Sequence, residues 1–394
     1  MYPQSMKSVQ SNTSTTVHNK REYPLAQGDE FLSRKLVCIA ELGHGTTATV
    51  YRARTQTGEE VAVKMYLSGD SPMQYFRNET KILNILREKA ALQNITPPIV
   101  PFIDVDVTVR FDPTTHKPHV HPAVIFTAGG ISLSSFMRGY EKQHGTSLPL
   151  RWVLDVAEQL SRALAFIHAA GVIHADVKAS NILLMDRDPA EDGQLRICLA
   201  DFGMSTVADK IFSKRVGTPE YCAPELALGR TYDAACDTWS FGCAVFRALT
   251  GDCIFDVDAS DCVQYGSDVD TEAVPEESFH HSADSDAPPS EGEKQFIYRH
   301  FMLITKLIGP PPNEFCKRAK GYFTNRGQLV DHPNIQPITV RELCEKNYEL
   351  AQISIDMMVM VAKGCFAWMP ARRCTMANMN AMINAFIENG KSTI

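Results

Sequence analysis

The sequence predicts an α+β fold in two lobes, the first rich in β-strand and the second mainly helical. Three observations predict it. Short alternating apolar runs separated by turn residues fill the stretch from Leu36 to Thr127. After Gly129-Gly130 the apolar spacing becomes that of helices. The 394 residues, 44% of them hydrophobic, give material for a large core and a prior of about two domains.

The elements follow in order. Residues 1–22 are rich in Ser, Thr, Gln and Asn and have almost no aliphatics, so they bury too little surface to offset ordering entropy and read as a disordered tail. LVCIAELG, TVYRAR and EEVAVKMY read as three strands, with turn signals at Gly43 to Gly45 and Gln56 to Gly58. Residues 76–89 have helical spacing through Ile82, Leu83, Ile85 and Leu86. VPFIDVDVTVRF and HPAVIFT complete a first lobe at about residues 31–128. In the second lobe, residues 152–169 put Val153, Val156, Ala157, Leu160, Leu164 and Ile167 on one helix face. Two short strands follow, around ILLM and LRICLA, then helices at 238–249 and 296–308. Residues 256–293 hold twelve acidic residues and no Lys or Arg, which reads as a solvated surface insert.

Composition narrows the function. No run of about 18 apolar residues crosses a membrane, and the first thirty residues lack the apolar core of a secretory signal. The eleven cysteines show no metal-ligand spacing and read as reduced thiols, which points to the cytoplasm, with the nucleus as an alternative. A formal net charge of −7 argues against direct nucleic-acid binding and suits a basic partner.

Five stretches hold chemistry. In LGHGTTATVY, residues 42–51, Gly43 and Gly45 allow a hairpin whose N–H groups approach phosphates; a plain turn is the alternative, and Ala48 stands at the third small position. In VAVK, Lys64 ends an alternating strand on its buried side and there needs an anion, for which Glu79 on the next helix is the candidate. The alternative is a strand-end lysine reaching solvent and a surface glutamate. VIHADVKASNILL, residues 172–184, sets Asp176, Lys178 and Asn181 in a polar loop between an apolar helix and an apolar strand. Phosphoryl transfer needs a carboxylate for the acceptor proton, a cation on the γ-phosphate and an oxygen ligand for magnesium, and these three residues supply them in that order. His174 reads as a core histidine supporting the loop. Asp201, in LADFGMS, lies 25 residues after Asp176 and offers a second oxygen ligand to a hard dication. Glu225 in GTPEYCAPEL and Arg373 in MPARRCT form either a buried ion pair or two exposed charges.

Taken in order, these motifs resemble the eukaryotic protein-kinase superfamily of the Ser/Thr type, over residues 31–388. The resemblance implies a bilobal protein-kinase fold, a kinase domain at 23–388, and ATP with Mg2+ in the cleft. It implies nucleotide contacts from Leu42, Gly43, His44, Gly45, Val50, Ala62 and Lys64, from the gatekeeper Phe126 and the hinge residues Thr127 and Gly129, and from Asn181, Leu183 and Asp201. Asn181 and Asp201 are the implied metal ligands; Asp176, Lys178, Lys64 and Glu79 are the implied catalytic set. YPLAQGDEF, AKGYFTNRGQL, LCEKNYEL, the His-Ala-Asp string and the insert after GDCIFD are similar to the SR-protein-kinase branch of the CMGC group. That branch implies an arginine/serine-rich or basic protein substrate; the chain itself is expected to be a monomer.

The sequence departs from the family pattern at Thr47, Ala48, Ala175, Ser180 and Cys222. Ala175 replaces the arginine that holds an activation-loop phosphate in many relatives, so activity without such a phosphate is expected. The rival reading is a pseudokinase scaffold, against which stands the completeness of the motif set. A small-molecule phosphotransferase is opposed by GTPEYCAPEL, a segment that serves protein substrates.

Overall fold

One six-stranded antiparallel sheet organises the first lobe: β1 (Glu30–Phe31), β2 (Leu36–His44), β3 (Ala48–Arg54), β4 (Glu60–Tyr66), β5 (Phe102–Phe111) and β6 (Pro118–Thr127), in the order β1-β2-β3-β4-β6-β5. The structure is a computed structural model and describes residues 25–111, 116–185, 193–208, 217–256, 290–324, 326–330, 332 and 334–390. The expected tail at 1–22 and nearly all of the acidic insert lie outside the described residues.

Period-two alternation sorts the sheet's faces. Val61, Val63 and Met65 of β4 pack with Phe31, Leu36, Cys38 and Tyr51 in a small outer cluster. Ala62, Lys64 and Tyr66 face the other way, toward helix α1 (Asp70–Gln93), which buries Ile82, Leu83 and Leu86. This helix is longer than the 76–89 expected from periodicity. Its extra residues, 70–75 and 90–93, do not extend the apolar repeat. Asp70 sits favourably in the first turn, and left-handed Asn94 (φ 50°) stops the other end.

The second lobe begins with α2 (Leu133–His144) and α3 (Leu150–Ala169), followed by strands β7 (Val172–Ile173), β8 (Ile182–Leu184), β9 (Ile197–Leu199) and β10 (Thr206–Val207). β7 pairs with β10 and β8 with β9. Then come the helices α4 (Pro224–Ala227), α5 (Ala235–Thr250), α6 (Glu291–Ile308), α7 (Asn313–Arg318), α8 (Val340–Asn347), α9 (Gln352–Cys365) and α10 (Met376–Gly390). Helix α5 is buried nearly all round, as a central helix must be. Trp239, Phe241 and Phe246 are fully buried, and α3 and α9 pack against it. α6 starts at Glu291, inside the expected insert, because Ser290 and Glu293 form a reciprocal capping box. Helices α2, α8, α9 and α10 were not individually legible. α9 is apolar nearly all round and shows no period, while α8 buries only Val340, Leu343 and Cys344.

Candidate active site

The site lies where the inner face of the sheet meets β7–β9. Alternation along β4 turns Lys64 inward, and the helical repeat of α1 puts Glu79 on the same face as Ile82, Leu83 and Leu86. Lys64 Nζ stands 3.1 Å from Glu79 Oε2 and 2.7 Å from Asp201 Oδ1. The lysine side chain is 13% exposed and the glutamate 1%, so the solvent-reaching alternative is excluded. Tyr66 donates its hydroxyl to Glu79 Oε2, and the Phe202 N–H donates to Oε1 at 3.1 Å. Burial pulls the Lys64 pKa down, but Asp201 and Glu79 outweigh it and hold it well above its ordinary value. Burial pushes Asp201 up; Lys64 and the Gly203 N–H overcome this and hold it at about 2.

Asp201 has a left-handed backbone (φ 62°), a conformation that costs about 1–3 kcal/mol and persists only where neighbours impose it. Three do so. Lys64 grips the carboxylate. Asn78 on α1 donates Nδ2 to Gly203 O and Ser205 O, at 3.2 and 2.7 Å. Phe202 is fully buried edge-on to His174, with ring centroids 5.1 Å apart.

The loop after β7 hangs from helix α5. Asp237, fully buried, accepts the backbone N–H groups of His174 and Ala175, each at 2.8 Å, and bonds His168 Nε2 at 2.9 Å. Burial raises its carboxyl; these donors and the nearby histidines hold it below the ordinary value. Ala175 is itself left-handed (φ 65°), and Gly217 passes so close that a Cβ there would lie 2.9 Å from Ala175 O. His174 Nε2 bonds Ala200 O at 3.1 Å and Nδ1 accepts the Asp176 N–H at 3.3 Å, so it is the supporting core histidine expected.

Asp176 emerges from this support. Its Oδ1 accepts the Thr218 hydroxyl at 2.8 Å; its Oδ2 accepts Asn181 Nδ2 at 3.1 Å and lies 3.4 Å from Lys178 Nζ. Lys178 Nζ donates to Thr218 Oγ1 at 2.8 Å, closing a ring of three side chains to which Asn181 is attached through Asp176. Asn181 spends its amide nitrogen on Asp176, which leaves its oxygen for a cation. With the carboxylate of Asp201, 45% exposed, it makes an oxygen donor set that fits a hard dication.

The remaining expected contacts frame the cleft. Val50 stands opposite Lys64 and Ala62 opposite Phe126, all on the inner face. Gly43 and His44 pair with Val50 and Thr49, and the Gly45 N–H bonds Ala48 O at 2.8 Å. A Cβ on Gly43 would meet nothing within 4 Å, so the hairpin leaves room over the cleft. Leu42 is exposed, Thr127 ends β6, and Gly129 approaches Leu183 of the second lobe, whose Cδ1 would lie 3.5 Å from an added Cβ.

A sequence model of the protein kinase domain matches residues 36–382. The chain belongs to the protein kinase family. Putative CBL-interacting protein kinase 13 of Oryza sativa subsp. japonica is 35% identical over 218 residues, covering 53% of this chain and 37% of the relative. CBL-interacting serine/threonine-protein kinase 19 of Arabidopsis thaliana is 31% identical over 217 residues, 53% of this chain and 40% of the relative. Serine/threonine-protein kinase PkaA of Streptomyces coelicolor is 31% identical over 229 residues, 53% and 38%. The match thus spans less than half the length of these relatives. None of the three is an SR-protein kinase by name, so the family stands and the branch is not supported by them.

In this kinase domain, Glu225 and Arg373 form the buried pair that the sequence offered as one of two readings, bonded twice at 2.6 and 2.7 Å. Sequence reasoning missed Tyr66 and Asn78, and it gave Asp237, which opens the string DTWSFG, no role. Tyr66 lies two residues past Lys64, hence on its face, and Asn78 precedes Glu79. Asp237 had the clearest signal, an acid at the start of an otherwise apolar helix, which must find donors when buried.

Proposed function

We propose that the chain is an ATP-dependent serine/threonine protein kinase that transfers the γ-phosphate of Mg-ATP to a protein hydroxyl. The observation that carries this reading is the closed ring of Asp176, Lys178 and Thr218, with Asn181 bonded to Asp176, beside the Lys64–Asp201 pair. Lys64 has three donors, and Glu79 and Asp201 engage two, leaving one to hold the α- and β-phosphates. Asp201 and Asn181 would hold the cation, which supplies charge neutralisation on the phosphates. Asp176 orients the acceptor hydroxyl and takes its proton, while Lys178 steadies the γ-phosphate. The scaffold alternative would be favoured by a missing member of this set, and all members are assembled. Magnesium is proposed over other dications because few protein oxygens are offered, which suits an ion that keeps its waters.

The chain is proposed to be active without phosphate on its activation segment, supported by Ala175 and by the commitment of the Thr218 hydroxyl to Asp176. The SR-protein-kinase branch, with a basic or arginine/serine-rich substrate, is a finer proposal supported by sequence segments and by the acidic composition of 256–293. The cytoplasm, with the nucleus as alternative, is proposed from the cysteine usage, and fractionation tests it.

The deciding experiment is transfer of labelled phosphate from Mg-ATP to Ser-, Arg-Ser- and Tyr-containing peptides by wild type and Asp201→Ala. Transfer to serine that the mutant loses supports the reading. No transfer by either protein, with no thermal shift on adding Mg-ATP, overturns it in favour of a scaffold. A strict requirement for phosphate at Ser213 or Thr218 would remove the activation proposal alone.

A further inference from the structure

A second cationic feature lies beside the acceptor site, in a pocket between α2 and α5. It holds about 340 Å³ of empty space including its mouth, and Ser134, Met137, Arg138, Glu141, Ser147 and Arg247 line it. Both walls adjoin the machinery above. Helix α2 packs on the turn Ala179–Asn181 that holds Asn181. On α5, Ser240 donates to Tyr221 O at 2.8 Å, three residues beyond Thr218, and Arg247 lies two turns further along the same face.

Arg247 is half-buried, yet among the described residues no carboxylate comes within ion-pair distance of it. Its guanidinium donates Nη1 to Cys253 Sγ at 2.6 Å. Burial holds that thiol up at about 12 despite the arginine, so the partner carries no charge. Tyr221 beside it is likewise pushed up by burial. Glu220 acts on Arg247 only through space. Arg138 at the rim is exposed, and Glu141 is the single acid of the lining. A cation sheltered from water with no carboxylate in ion-pair reach among the described residues gains from an incoming anion, and a guanidinium fork matches carboxylate or phosphate.

We propose that Arg247, with Arg138, forms a subsite for an anionic side chain of the protein substrate, a carboxylate or a phosphorylated residue, flanking the accepting hydroxyl. This rests on the kinase reading and names a substrate class for it. It concerns the residues next to the acceptor, whereas the basic-substrate proposal rests on the distant acidic run, so the two are separable.

The test is kcat/KM for serine peptides carrying Glu, phosphoserine, Ala or Arg at each flanking position in turn, with wild type, Arg247→Glu, Arg247→Lys and Arg138→Glu. At one position, Glu or phosphoserine should exceed Arg by about tenfold or more, through KM. Arg247→Glu should reverse that order, Arg247→Lys keep it, and Arg138→Glu weaken it a few-fold. Phosphoserine well ahead of Glu would identify a phosphorylated substrate; equality would identify an acidic one. Identical flanking preferences in wild type and the charge-reversed variants overturn the proposal while leaving the kinase reading intact. If Arg247→Glu does not fold, the exposed Arg138→Glu carries the comparison. If no protein phosphorylates any peptide, the kinase reading fails instead. The subsite is then judged by fluorescence anisotropy of labelled phosphoserine and arginine peptides, and equal affinities for wild type and Arg138→Glu overturn it.

Discussion

Two buried glutamates, Glu79 and Glu225, meet two buried cations and do opposite work. Arg373 meets Glu225 through two parallel bonds, bonds Ala235 O and Ala367 O as well, and lies over the Trp239 ring at 5.1 Å. Every direction around it is filled, and the pair is a brace. Lys64 meets Glu79 as a point charge, shares itself with a carboxylate that is 45% exposed, and keeps one donor in hand. That pair is a socket. The difference lies in what remains unsatisfied at the edge of each pair, and residue choice follows from it: a planar fork where the geometry closes, a flexible ammonium where a ligand must enter.

Four measurements would break or sharpen this contrast. Asp176→Asn should lower kcat by about 10²–10⁴-fold, the range for loss of a positioned acid–base group, with the urea midpoint little moved because the isosteric amide keeps the packing of the loop. Arg373→Ala should do the reverse. Stranding buried Glu225 costs about 3–5 kcal/mol in urea unfolding, while the surviving folded fraction should still bind nucleotide. An unshifted midpoint there would erase the distinction between brace and socket. Lys64→Met should slow transfer roughly ten- to a hundredfold, equivalent to one charge-assisted hydrogen bond of about 1.5–3 kcal/mol. Wild-type rates in that variant would remove Lys64 from the mechanism.

The smallest effect concerns acid. Asp201 is held at about 2 in the folded chain, below its ordinary 3.8. Its contribution to stability is therefore present above the ordinary value and is lost as pH falls through the folded one. Lys64→Met removes the main cause of the depression, so the variant should lose less stability than wild type between about pH 4 and pH 2, read from melting curves across that interval.

Much of this was legible in the sequence for a physical reason. Lys64, Asp176, Asn181 and Asp201 sit on short strands and loops whose apolar flanks fix their direction, so local pattern and site agree. The two-lobed division was legible at Gly129-Gly130 for the same reason. Asn78 and Tyr66 were not, because each acts through a contact made only when α1 docks, and nothing local marks an asparagine that will reach Gly203 O across the fold. The choice between buried and exposed for Lys64 and for Arg373 needed the third dimension, since burial belongs to the assembled core and not to the residue. Arg247 carries no local mark in the sequence, and it gains meaning only from a fold that leaves it without a carboxylate in ion-pair reach among the described residues.

Asp237 has a consequence beyond holding a loop. The loop that carries Asp176 takes its position from a carboxylate in the middle of the second lobe, with no bond from that carboxylate to the sheet. The half of the site proposed to accept the proton is therefore a property of α5 folding, and the half proposed to grip nucleotide a property of the sheet and α1. The two halves can be exchanged or evolve at different speeds: a foreign first lobe placed on this helical lobe would find its acceptor side already aligned.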